Sequence, residues 1–88
     1  MRKCFKISKI ENLRYDSSKK YKIEKRVYII YPIIYRMVTM KKSDFTTSKN
    51  SYFNDYIASF KNINETYDAL YQHSKIQGYS DITVKLEI

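Results

Sequence analysis

The chain has 88 residues, 17 Lys and Arg against nine acids, a formal net charge of +8, and single Cys, His, Gly and Pro residues. A chain this short supports one hydrophobic core and no deep cofactor cleft. One Cys excludes an internal disulfide, and with one His it leaves no set of soft ligands for zinc, so neither a metal nor a cofactor is expected. Ten Tyr and four Phe beside so few turn residues mark a folded chain rather than a disordered tail.

The charge is unevenly placed. Residues 1–42 carry 13 Lys and Arg against three acids (Glu11, Asp16, Glu24), a balance of +10, whereas residues 43–88 carry four Lys against six acids, a balance of −2. Such a skew points to a basic face directed at phosphate or at an acidic protein surface. Arg2 and Lys3 are followed by no apolar block of signal-peptide length before Lys6 and Lys9. A cytoplasmic protein is expected, in the host cytoplasm if the gene is viral.

In chain order, Phe5 and Ile7 alternate with Lys6 and Ser8 and read as a strand whose phase slips at Ile10 and Leu13. Asp16, Ser17 and Ser18 form a turn cluster that would fold this strand back on the next as an antiparallel hairpin. Next comes KRVYIIYPIIYRMVTMKK, Lys25–Lys42, which is apolar within basic ends. A membrane-spanning helix needs about 20 mainly apolar residues, but the run Val27–Tyr35 holds nine before Arg36 ends it. Rich in Val, Ile and Tyr, the segment reads instead as two strands, roughly 20–31 and 33–41, meeting at Pro32. Period two puts Tyr21, Ile23, Val27, Ile29, Tyr31, Ile33, Tyr35 and Met37 toward the core. Lys20, Lys22, Glu24, Arg26, Tyr28, Ile30, Ile34 and Arg36 fall on a second face, basic at its ends and apolar in its middle.

The polar stretch 43–50 reads as a loop. Phe53, Tyr56, Ile57 and Phe60 then follow at helical spacing with Ser51 as a cap, and Ile63, Tyr67, Leu70 and Tyr71 continue the stripe. Asn62 followed by Glu65 has the form of a capping box, and Gly78 suits the position after a helix end. Two helices, about 51–61 and 64–77, are the simplest reading of the helical region 51–77; one fused helix, or a strand over Tyr56–Phe60 giving a βαβ finish, are the alternatives. DITVKLEI closes the chain as a strand over 81–88, with Ile82, Val84, Leu86 and Ile88 inward and a central or well-covered place in the sheet. The expected fold is α+β: one domain over 1–88, with a basic β-hairpin region (1–42) and an antiparallel sheet of three to four strands packed on one face by two helices.

No constellation of catalytic residues stands out. His73 has no nucleophile near it in sequence, Cys4 reads as a small buried hydrophobe, and Glu65 and Asp68 lie in a first helical turn, where acids favour the helix dipole. One glycine cannot build a phosphate-binding loop. A binding protein rather than an enzyme is therefore expected. Its candidate contact residues are Lys20, Lys22, Arg26, Tyr28, Arg36, Lys41 and Lys42, because cations neutralise phosphates and an exposed Tyr can stack on an unpaired base. The expected partner is nucleic acid or a nucleic-acid-associated host protein, with no membrane; Ile30 and Ile34 would serve a homodimer equally well. YIASFKN and the ending ITVKLEI resemble the helix and tail of the small phage anti-CRISPR proteins that block Cas9. That resemblance implies a phage or mobile-element inhibitor of a host nucleic-acid enzyme, although those proteins are acidic and imitate DNA whereas this chain is basic.

Overall fold

The structure is a computed structural model that describes residues 3–10, 20–45 and 55–87. Strands β1 (Lys3–Lys9), β2 (Tyr21–Ile30), β3 (Ile34–Thr39), β4 (Ser59–Phe60) and β5 (Ile82–Glu87) form one sheet, and the one α-helix among the described residues, α1, spans Ile63–Gln77. The main order is β3-β2-β1-β5, with β4 paired to β2 as well. The turn at Asp16–Ser18, Leu13, the Ser51 cap and Ile88 lie outside the described residues.

Among the described residues, one helix and a mixed five-stranded sheet replace the expected pair of helices on an antiparallel sheet. The first expected helix fails over its described part. From Tyr56 to Phe60 the chain lies along the β2–β3 edge, where Ala58 N donates to Met40 O (3.2 Å) and Lys20 N donates to Phe60 O (2.8 Å). Ala58 is buried and Phe60 half-buried, while Tyr56 and Ile57 face outward. An apolar stripe of helical spacing therefore served a short strand, because an unpaired sheet edge offered these backbone groups partners. The βαβ alternative is the one approached, with a first strand of Ser59–Phe60 and an isolated bridge at Ile57 in place of a strand over all of Tyr56–Phe60. The stretch likened to an anti-CRISPR helix, YIASFKN, is thus extended chain.

The sheet is not purely antiparallel either: β1 runs antiparallel to β2 but parallel to β5. Parallel neighbours require a crossover, which α1 supplies. β1 is consequently an inner strand, whereas β5 sits at an edge with Leu86 43% exposed, contrary to the covered place expected of it.

The helix starts and stops where its local chemistry dictates. Asn62 is the N-cap, its side-chain Oδ1 accepting from Glu65 N at 2.9 Å. Gly78 ends the helix at φ 74°, the left-handed conformation that glycine adopts most cheaply. Thr66 and Ser74 face the sheet, and each satisfies its buried hydroxyl by donating to the carbonyl four residues earlier, at 2.7 and 2.9 Å. Leu70 lies between them and meets Phe5, Ile7, Ile23 and Met40 in the core. Leu70, Ile7, Ile23 and Met40 are fully buried and Phe5 is 4% exposed, and each such side chain contributes on the order of 1.5–3 kcal/mol.

Register assigns the faces. Phe5, Ile7, Ile23 and Val84 lie on the helix side, and across β2–β3 so do Lys25 with Val38 and Val27 with Arg36. Cys4, Lys6, Ser8, Lys22, Glu24, Arg26, Tyr28, Tyr35, Met37 and Lys85 fall on the other side. The odd-numbered core assignment holds for Ile23 in β2 but not beyond the turn. Arg26 pairs with Met37 and Tyr28 with Tyr35, so even positions of β2 share a face with odd positions of β3. The cause is the register shift between Tyr28 and Ile30, which carries one extra residue into the hairpin end.

Candidate functional site: the uncovered sheet face and the hairpin tip

Helix α1 reaches only part of the sheet. Where β2 and β3 run beyond it, no described element covers either side, and Ile29 (63%), Ile30 (55%), Tyr31 (62%), Ile33 (78%), Ile34 (46%) and Tyr35 (48%) are all exposed. The tip turns through a cis Tyr31–Pro32 bond, with Ile33 N donating to Ile30 O at 2.9 Å. Ile29, Tyr31 and Ile33, read as core residues from their period, are surface residues. Two strands without a covering layer have nothing to bury these side chains against. From Lys25 to Lys42 the segment includes Lys25, Arg26, Arg36, Lys41 and Lys42 but no carboxylate. The tip is therefore apolar on both faces and basic at its base.

Of the seven expected contact residues, the structure brings three together. Lys22, Arg26 and Tyr28 project from alternate positions of β2 onto the face opposite α1. Arg26 places its guanidinium carbon 4.1 Å from the centroid of the Tyr35 ring, and a hydrogen bond with Tyr28 holds its pKa above the usual arginine value. Tyr28 is half-buried rather than fully exposed, its ring meeting Tyr31 at 4.9 Å and Tyr35 at 6.0 Å, both edge-on. The other four are dispersed. Lys20 precedes β2, Arg36 shares the opposite face with Val27, Lys41 bridges to Ile57 beyond the end of β3, and Lys42 begins a short 3-10 turn with its ammonium 5.9 Å from the Tyr56 ring.

Three contributors were not foreseen: Lys6, Lys85 and Tyr35. Lys6 pairs across the sheet with Glu24 and Lys85, and its ammonium lies 3.1 Å from Glu87 and 3.4 Å from Glu24. The hydrogen bond with Glu87, then the Glu24 charge, raise the Lys6 pKa, and the same Lys6 bond lowers that of Glu87. Lys22 also reaches Glu24, at 3.5 Å. Strand alternation alone puts Lys6 on the side away from Phe5 and Ile7; that Lys85 and Tyr35 join it depends on the parallel β1–β5 pairing and the β2–β3 register.

His73 is a packing residue. Its Nδ1 donates to the Asp44 carbonyl at 2.9 Å, and Phe5, Phe45 and Tyr79 surround its ring. Cys4 is half-buried on the uncovered face. Among the described residues, no group of three or more His, Cys, Asp or Glu could hold a metal ion, and no helix is long and apolar enough to cross a membrane. No family model, curated protein or solved structure matches the chain.

Proposed function

We propose that the protein acts by binding rather than catalysis, and that it docks on another protein by inserting the β2–β3 tip into an apolar cleft rimmed with carboxylates. The observation that carries this reading is the exposure of six large side chains, Ile29, Ile30, Tyr31, Ile33, Ile34 and Tyr35, at one end of one hairpin. Scattered single apolar residues are normal on a surface, but six large ones clustered within seven positions, each 46–78% exposed, form the kind of patch that marks an interaction site. Because both faces of the tip are apolar, a flat surface would cover only half of it; a cleft covers both. The cations at its base fit acidic residues at the cleft mouth, which steer association and reject wrong partners. The same charge opposes a second copy of this chain as the occupant. An inhibitor or modulator of a larger protein needs no more than such a wedge.

The test is affinity capture from extract of the encoding cells, with and without nuclease, using the native chain and an Ile33→Ser bait. The reading expects one dominant protein that survives nuclease and is lost with the variant. Recovery of nucleic acid alone, or capture indifferent to Ile33, contradicts it.

A further inference from the structure

We infer that the sheet face opposite α1 is a second binding surface, one that takes single-stranded nucleic acid. Between β2, β1 and β5 this face carries a shallow depression of about 370 Å³, lined in part by Cys4, Lys6, Arg26, Tyr35, Thr83 and Lys85. Of the nine residues that line it, three are cations and one, Glu87, is a carboxylate. Lys22 adds a fourth on the same face, against two carboxylates, Glu24 and Glu87.

Two features distinguish the depression from an ordinary solvated sheet face. Among the described residues, the only buried side-chain polar atoms without a hydrogen-bond partner are Arg26 Nε and Ser8 Oγ, and both residues belong to this face. A buried donor left unpaired is destabilising, and a small shift of the guanidinium that presents Nε to an oxyanion across its fork satisfies it. The second feature is aromatic. Arg26 is held against the ring of Tyr35, which leaves 48% of its surface exposed beside the cations, so a base can stack there while its phosphate meets Arg26.

The carboxylates hold the cations in position and compete with the ligand. Glu87 occupies Lys6 at 3.1 Å, so phosphate must displace it. An unpaired, flexible strand can follow a sheet only a few strands wide and present bases to it, whereas a duplex keeps its bases stacked and offers only its outer phosphates.

The probes are labelled oligo(dT) and oligo(rU), followed by fluorescence anisotropy with the full chain. Three phosphates neutralised give a salt slope of about −2, so affinity falls roughly 10- to 20-fold between about 50 and 200 mM salt. Lys85→Glu, at an exposed site, reduces binding by at least that factor. Glu87→Gln, which removes one of the two carboxylates on Lys6 and leaves Glu24, strengthens it by up to roughly fivefold at about 100 mM salt. Ile33→Ser leaves it unchanged, which separates this surface from the tip although the two share Tyr35. Absence of binding at low salt, equal affinity for duplex, indifference to both Lys85→Glu and Glu87→Gln, or displacement by inorganic phosphate as effective as by oligonucleotide would each overturn the inference.

Discussion

Ile23 and Ile33 are the same residue type in one hairpin, Ile23 on β2 and Ile33 in the turn before β3, and the fold gives them opposite work. Ile23 is fully buried, whereas Ile33 is 78% exposed. With complete burial of an isoleucine side chain contributing about 1.5–3 kcal/mol, the covered fifth of Ile33 contributes about 0.3–0.7 kcal/mol to folding. Ile33→Ser should therefore lower unfolding free energy by less than about 1 kcal/mol, while Ile23→Ala, which opens a cavity in the core, costs about 2–5 kcal/mol. In docking the order reverses. The exposed four-fifths of Ile33 represents about 1.2–2.3 kcal/mol, or roughly a 7- to 50-fold loss of affinity for the captured partner. Guanidinium denaturation followed by tyrosine fluorescence gives the first quantity, and titration of the partner with each variant gives the second. An Ile33→Ser chain destabilised as much as Ile23→Ala would mean that the tip is packed, and the reasoning from its exposure would fail.

Three further outcomes follow from local geometry. Asn62→Ala removes the acceptor of the Glu65 N bond and should cost about 1 kcal/mol in denaturant unfolding. At Gly78 a Cβ would meet nothing within 4 Å, so at φ 74° the price of Gly78→Ala is backbone strain alone, about 1–2 kcal/mol, and Gly78→Asn should cost less. Lys6 and Glu87 stabilise each other with opposite limits. The depressed pKa of Glu87 makes its contribution present above the ordinary carboxylate range and lost as pH falls through the folded value. The raised pKa of Lys6 makes its contribution present below the ordinary lysine value and lost as pH rises through the folded one. NMR titration should therefore show the Glu87 carboxyl return upward in Lys6→Gln; an unmoved value would mean that Lys6 is not its partner.

Where structure follows from neighbours in sequence, it was legible. The alternation around Phe5 and Ile7, the β-rich run ending near Ile30, the Asn62 cap and the glycine after α1 are all local signals, and β1, β2 and both ends of α1 match or nearly match their expected positions. What failed depends on pairing. Tyr56–Phe60 has helical spacing on paper, and only the free edge beside Met40 makes it extended chain ending in β4. The side on which Tyr35, Arg36 and Met37 fall was misread because one residue gained near Tyr28 reverses every assignment after it. The same limit applies to the contact surfaces. Lys22, Arg26 and Tyr28 share one face of one strand, which period two alone gives, but Lys6, Lys85 and Tyr35 enter that face from three other strands. The exposure of Ile29 through Tyr35 could not be read from composition, since a run of this kind in the middle of a sheet would be core; it is surface because α1 stops short of it.

The most direct test of the tip as the docking element is site-specific photo-crosslinking. Ile33 and Ile76 are matched in residue type and exposure, 78% and 75%, but one lies at the tip and the other on α1. With a photoreactive side chain at each position in turn, a nuclease-treated extract of the encoding cells should give a strong adduct to one protein from position 33, at a segment containing apolar residues flanked by Asp or Glu, and none from position 76. Equal labelling from both positions, or adducts from 76 alone, would contradict the account.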